Sequence, residues 1–131
     1  ESVYREGGRL MGETTIAARR AYDAAGYGLA PSFTEPPDHV TAELGFMAIL
    51  TEEEAGAWEM EDVAAAREWL EREQAFLAEH LARWIPAFAE GVLASTEAAF
   101  YGRLAVVLRD FVALDTGRVL ALRGLFEESL R

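Results

Sequence analysis

The sequence contains no cysteine. That absence removes disulfides, thiolate nucleophiles, iron–sulfur ligation and thiolate zinc sites together, and it allows a reducing compartment. Lysine is missing as well: all twelve basic residues are arginine, set against 23 acids for a formal net charge of −11. Such a chain repels a phosphate backbone unless its arginines cluster, and they are scattered. Nucleic acid is disfavoured as a partner, and a basic peptide is favoured. Long apolar runs are also lacking. The longest, FMAIL (46–50) and LAVVL (104–108), fall far short of the ~20 residues that span a bilayer, so the composition reads as that of a soluble protein with no stable membrane insertion.

What is present is enough for one core. A chain of 131 residues, 51% hydrophobic, is about one domain and buries roughly two thirds of the surface of its unfolded form. Apolar residues recur at three- and four-residue spacing and nowhere alternate for long, which predicts an all-helical fold. ETTIAARRAYDAAG predicts a helix ending at Gly26, and 27–37 a loop with three prolines. A second helix is expected to begin near Pro37 and to bury Val40, Leu44, Phe46, Met47 and Leu50, with Gly45 as an interruption. TEEEAGAWEMED (51–62) reads as an acidic connection. A longer helix follows from about Glu61 through Val63, Leu70, Leu77 and Leu81, widened by Trp69, Phe76 and Trp84, until Pro86 ends or kinks it. After a short helix, AFAEGVLAS, Ser95 or Thr96 is expected to cap the next, with Phe100, Leu104, Val107, Leu108 and Phe111 as its buried stripe. Asp115 is expected to open a final helix through Val119, Leu122, Leu125 and Phe126. The opening ESVYREGGRLMG has no helix-start pattern and no initiator methionine, which suggests that an N-terminal part is missing. Arg19-Arg20 is not an export signal, since DAAGYGLAPS follows in place of an apolar segment, and both arginines are expected on a wet helix face.

Chemistry-bearing residues are few. Glu35, Asp38, His39 and Glu43 crowd a helix start, where acids gain about 0.3–1 kcal/mol from the macrodipole, so the group reads either as an ordinary start or as a recognition site. Only His39 and His80 offer an imidazole, no serine lies in a GxSxG context, and no GxxxxGK[ST] phosphate loop exists, so an enzyme is not expected. His39 and Glu43, four apart, could share a metal on one face. A di-iron bundle requires Glu-x-x-His, however, and positions 36 and 77 are proline and leucine, so neither metal nor cofactor is expected. His80 is expected half-buried, bonded to a neighbouring backbone. Glu52, Glu53, Glu54, Glu59, Glu61 and Asp62 read as a solvated face, with an electrostatic lure for a basic segment as the alternative.

EPPDHVTAELGFMAIL, FLAEHLARWIPAF and AAFYGRLAVVLRDFVALD together resemble the TorD/DmsD/NarJ family of redox-enzyme maturation chaperones, its TorD branch above all. YREGGRLMGETTIAARRAYDAAG resembles the segment that precedes that family's Glu-Pro-x-Asp-His signature. Gly45 departs from the larger polar residue more usual there. The resemblance implies an all-α, bundle-like TorD-type fold that lacks its N-terminal helices, with 1–131 a single helical domain and a loop or hinge near 27–38. It also implies a cytoplasmic chaperone without a cofactor of its own. Such a protein binds the twin-arginine signal peptide of a molybdenum-containing oxidoreductase, holds the apoenzyme back from export and assists insertion of molybdopterin. Carried over by motif, the peptide-binding residues are Glu35, Pro36, Asp38 and His39. Asp38 is expected to meet a peptide arginine, and His39 either to share the contact or to position Asp38. Helix exchange between subunits could make a homodimer. The alternative is a helical protein-interaction domain with no preference for signal peptides.

Overall fold

The computed structural model describes the backbone of residues 1–5, 12–95 and 97–129, with side chains as far as Phe126 in the last helix. Among the described residues, six α-helices follow in order: α1 (Ser2–Arg5), α2 (Glu13–Ala24), α3 (Val40–Glu59), α4 (Val63–Phe76), α5 (Ala82–Ser95) and α6 (Ala99–Ser129), with a π-helical turn at Leu77–Leu81 between α4 and α5. No strand occurs among the described residues, as the apolar spacing predicts. Likewise, no helix among them is long and apolar enough to cross a membrane.

α2 ends where its sequence says it should. Gly26 takes φ +82°, a left-handed conformation that costs glycine nothing. Arg19 and Arg20 lie on its exposed face. α3 begins at Val40, three residues later than expected, because Pro36 and Pro37 form a turn closed by a bond from His39 N to Pro36 O (2.9 Å). It then runs straight through the acidic stretch read as a connection. Glutamates propagate a helix well, Ala57 is buried, and the Trp58 ring stacks on Phe126 with centroids 5.4 Å apart. Only Met60 to Asp62 connect α3 to α4, with Asp62 accepting from Ala65 N at 3.0 Å as the cap of α4. Of the acid run, Glu53 accepts from the Tyr27 hydroxyl and Glu54 from the Trp58 indole (2.7 Å). Gly45 is exposed, and a Cβ there would meet nothing within 4 Å. Gly45→Ala is therefore expected to stabilise the chain by about 0.5–1 kcal/mol in urea denaturation, since no close approach needs the glycine.

Pro86 neither ends nor sharply divides the helix that carries it: α4, the π turn and α5 run on from Val63 to Ser95. Three pairs, Phe76–Leu77, His80–Leu81 and Trp84–Ile85, are buried at a repeat of four residues, wider than the 3.6 of a regular helix. The bond from Ala82 N to Leu77 O loosens the coil by the amount that repeat needs. Pro86 itself faces solvent, where water can serve the carbonyl it frees, and burial of Trp84, Ile85 and Ala89 outweighs its cost of about 3 kcal/mol.

The last part of the chain departs most from expectation. Asp115 starts no helix but lies within α6, and the Ser95 hydroxyl donates to Val92 O in its own helix rather than capping the next. Thr96 lies outside the described residues. α6 buries Ala105, Val112 and Val119, with Leu108, Leu122 and Phe126 packed beside them, whereas Phe100, Leu104, Val107 and Phe111 of the expected stripe are more than half exposed. The core they were expected to join is built from Tyr22, Phe46, Met47, Leu50, Leu70, Phe76, Leu77, Leu81, Trp84 and Ile85.

Candidate functional site

The Pro36–His39 turn is held from behind. The Tyr22 hydroxyl donates to Pro37 O at 2.6 Å. His39 is extended (φ −73°, ψ 144°) and caps α3, with Nδ1 accepting from Thr41 N at 3.2 Å and its carbonyl from Glu43 N at 3.0 Å. Asp38 points the opposite way. Oδ2 accepts from Ser2 N at 2.7 Å, Oδ1 accepts from the Thr15 hydroxyl at 3.0 Å, and the main-chain nitrogen of Glu1 donates to Asp38 O at 2.7 Å. Only 2% of the residue is exposed. Burial would raise the Asp38 pKa, but hydrogen bonds from Ser2 and Thr15 outweigh it and hold the carboxyl below its ordinary range. The carboxylate is thus occupied in pinning α1 and α2 to the turn, with one hydrogen bond on each oxygen. The structure gives Asp38 a task inside the fold, while the His39 side chain caps α3 and makes no bond to Asp38 among the described residues.

One turn further on, Glu43 is wholly buried. Its Oε2 accepts from the Trp84 indole at 2.9 Å, while Oε1 has no hydrogen-bond partner among the described residues. Burial, with the neighbouring Glu1 adding to it, pushes its pKa up to about 9. Glu43 therefore does not face His39, which removes the shared metal considered for that pair. It lies instead beside His80, whose Nδ1 is 2.7 Å from Glu1 Oε2. The other oxygen of Glu1 takes Arg5. Burial would raise the Glu1 carboxyl, but His80 and Arg5 outweigh it and lower its pKa. His80 is buried and stacked on Phe76 at 4.6 Å, and its partner is a carboxylate far along the chain, not the neighbouring backbone expected for it.

A cavity of about 280 Å³ opens beside the turn, between α1, the start of α3 and α5. Its walls include Val3, Tyr4, Pro36, His39, Trp84 and Phe88. The aromatic side is self-supporting: Tyr4 stacks on Trp84 (5.8 Å) and meets Phe88 edge-on (5.9 Å), and Trp84 meets Phe88 edge-on (5.5 Å). Glu35 stands exposed one residue before Pro36 and outside the lining. Of the four residues carried over by motif, the structure places Pro36, Asp38 and His39 in the lining of the cavity, with Asp38 only 2% exposed, and Glu35 next to it in sequence. Tyr4, Trp84 and Phe88 were not singled out for the site. The one available signal was the i, i+4 pair Trp84 and Phe88, which shares a helix face.

The described residues thus form an all-helical domain with a largely apolar, aromatic-walled cavity beside the Pro36–His39 turn. The model of the nitrate reductase delta subunit family matches residues 1–90, and the chain belongs to that family, the TorD/NarJ group. Among curated proteins it is similar to Chaperone protein TorD of Vibrio cholerae serotype O1 strain El Tor Inaba N16961, 30% identical over 128 residues, which is 98% of this chain and 56% of the relative. It is 33% identical to Chaperone protein TorD of Photobacterium profundum over 96 residues, 72% of this chain and 43% of the relative. The chain thus spans about half the length of the curated relatives it matches. These relatives carry the name of a chaperone, not of an enzyme. No solved structure matches.

Proposed function

We propose that this chain is part of a cytoplasmic redox-enzyme maturation chaperone that receives the twin-arginine signal peptide of a molybdenum-containing oxidoreductase and assists loading of its cofactor. The observation that carries the reading is the cavity walled by Tyr4, Pro36, His39, Trp84 and Phe88, next to the exposed carboxylate of Glu35. A signal peptide offers two arginines followed by an apolar stretch, so its receptor needs an acid that can still reach solvent and a greasy pocket close by. Glu35 supplies the first, Pro36 and His39 the near wall of the second, and Asp38 fixes the turn that carries all three. The family membership and the names of the relatives support the chaperone role.

Calorimetric titration with a twin-arginine peptide tests the reading. The expected result is saturable binding weakened about tenfold or more by Phe88→Ser, roughly the worth of one lost apolar contact, and several-fold by Glu35→Gln. A Lys-Lys peptide is expected to bind more weakly, because lysine cannot make the paired hydrogen bonds of a guanidinium. Equal retention of both peptides, unchanged by either substitution, would leave only a helical interaction domain without peptide preference.

A further inference from the structure

The buried polar cluster behind the cavity is not used by peptide recognition. Glu1, Glu43 and His80 each offer one ligand atom, and these atoms all lie within 4.8 Å of one another. All three residues are buried, at 5%, 0% and 4% exposure. Glu43 Oε1 is buried and accepts no hydrogen bond from the described residues, and the Glu1 carboxylate lies within hydrogen-bonding reach of the Glu43 carboxyl, so the two acids either share a proton or hold a cation between them. Glu1 Oε2 and His80 Nδ1 lie 2.7 Å apart, in a bond that a cation would replace, and each of the three side chains is steadied by another neighbour. Trp84 fixes Glu43 through Oε2, Arg5 fixes Glu1 through its other oxygen, and the Phe76 ring fixes the imidazole plane. Anchoring of this kind is what orients the ligands of metal centres. His80 is moreover carried on the π turn, a distortion that re-aims a side chain and recurs at functional sites.

We propose that Glu1, Glu43 and His80 bind one divalent transition-metal cation, with Zn²⁺ the simplest fit. One imidazole nitrogen and two carboxylate oxygens suit zinc, manganese or iron better than calcium or magnesium, which prefer a shell of oxygens alone. Three protein ligands leave a fourth position for water. The cation would balance two carboxylates buried together, a charge that otherwise has to be reduced by holding a proton. His80 also lines an opening of about 350 Å³ with Arg5, Glu13, Thr14, Glu79 and Arg83, through which an ion can arrive. The metal site shares Glu1 and Trp84 with the cavity wall, but its proposal does not rest on the peptide reading, and zinc titration without peptide tests it alone.

The test is titration of the chelator-stripped full chain with ZnCl₂ by calorimetry at neutral pH. The expected result is one saturable site per chain, proton release on binding, and a higher melting temperature. Glu43→Gln and His80→Asn are each expected to weaken the site by more than about tenfold. Absence of saturable binding, or zinc retained equally by both variants and hence held by exposed acids, would overturn the proposal. Should either variant fail to fold, Co²⁺ added to the unaltered chain decides: visible bands of a low-symmetry nitrogen–oxygen site support it, and the spectrum of the hydrated ion alone refutes it.

Discussion

Asp38→Ala is expected to destabilise the chain by about 3–5 kcal/mol, a loss comparable to much of a small domain's total stability. The substitution leaves Ser2 N and the Thr15 hydroxyl facing a void, each buried and neither with another acceptor supplied by the change. It also loosens α1, which keeps the bond from Glu1 N to Asp38 O, the contacts of Tyr4 with Trp84 and Phe88, and the pairing of Glu1 and Arg5 with the π turn. Asp38→Asn keeps one acceptor and is expected to lose roughly half as much. Urea denaturation measures both, and a double-mutant cycle with Thr15→Val isolates the 3.0 Å bond. A change below about 1 kcal/mol for Asp38→Ala would mean that the carboxylate is free to act at the surface. The same result bears on function, because Asp38 variants are expected to lose peptide binding only through loss of the turn that presents Glu35, Pro36 and His39.

The second large effect is a fall in stability from mildly acidic toward alkaline pH. Glu43 is pushed up to about 9 by burial, then by the charge of Glu1. Glu73, buried between α4 and its neighbours, is pushed up to about 8 by burial, then by Glu54 and Asp115. A carboxyl raised in the folded state contributes stability below its unfolded pKa near 4.5 and loses it as pH climbs toward the folded value. Between about pH 5 and 8 the folded chain holds the extra protons, so its stability declines with pH, by at most about 1.4 kcal/mol per pH unit for each proton. Glu1 and Asp38 have the opposite sign: both are lowered on folding, and their contribution is lost as pH drops below the ordinary carboxylate range. The maximum is therefore expected on the acid side of neutrality, at about pH 5. Urea midpoints across this range, on chelator-treated protein, are expected to fall with pH, and Glu43→Gln or Glu73→Gln to flatten the slope. Midpoints that rise from about pH 5 to 8 would contradict both assignments.

The residues made the helical class, the Gly26 stop and the α3 core face legible, because each rests on local periodicity or on one backbone conformation. α6 was not legible, and the reason is geometric. Positions 100, 104, 107, 111 and 114 and positions 105, 108, 112, 119 and 122 are two apolar stripes, side by side on one helix. Spacing identifies both, but only the location of α4 and α5 decides that the second is buried. Asp115 looked like a cap since an acid commonly starts a helix, yet here it sits half-buried within one, its pKa raised first by burial. Pro86 was overruled by its place on the solvent side of a helix whose Trp84, Ile85 and Ala89 are buried, which a rule about proline alone does not announce. The candidate site was legible in half. Glu-Pro-Pro-Asp-His located the turn, whereas the inward direction of Asp38 depends on Ser2 and Thr15, distant partners that a reading of local sequence does not bring to it. Glu43 was paired with His39 because they are four apart. Its true neighbours, Trp84 and His80, are 41 and 37 residues away, and only the fold brings them together.

If the chain is a signal-peptide receptor, the apolar part of a twin-arginine peptide lies in the aromatic-walled cavity beside the Pro36–His39 turn. Photo-crosslinking tests this most directly, with a benzophenone side chain placed in the apolar stretch of the peptide and the attached residues mapped by mass spectrometry. Adducts are expected at Val3, Tyr4, His39 and Phe88. Adducts confined to the exposed stripe of α6, at Phe100, Leu104, Val107 or Phe111, would contradict it.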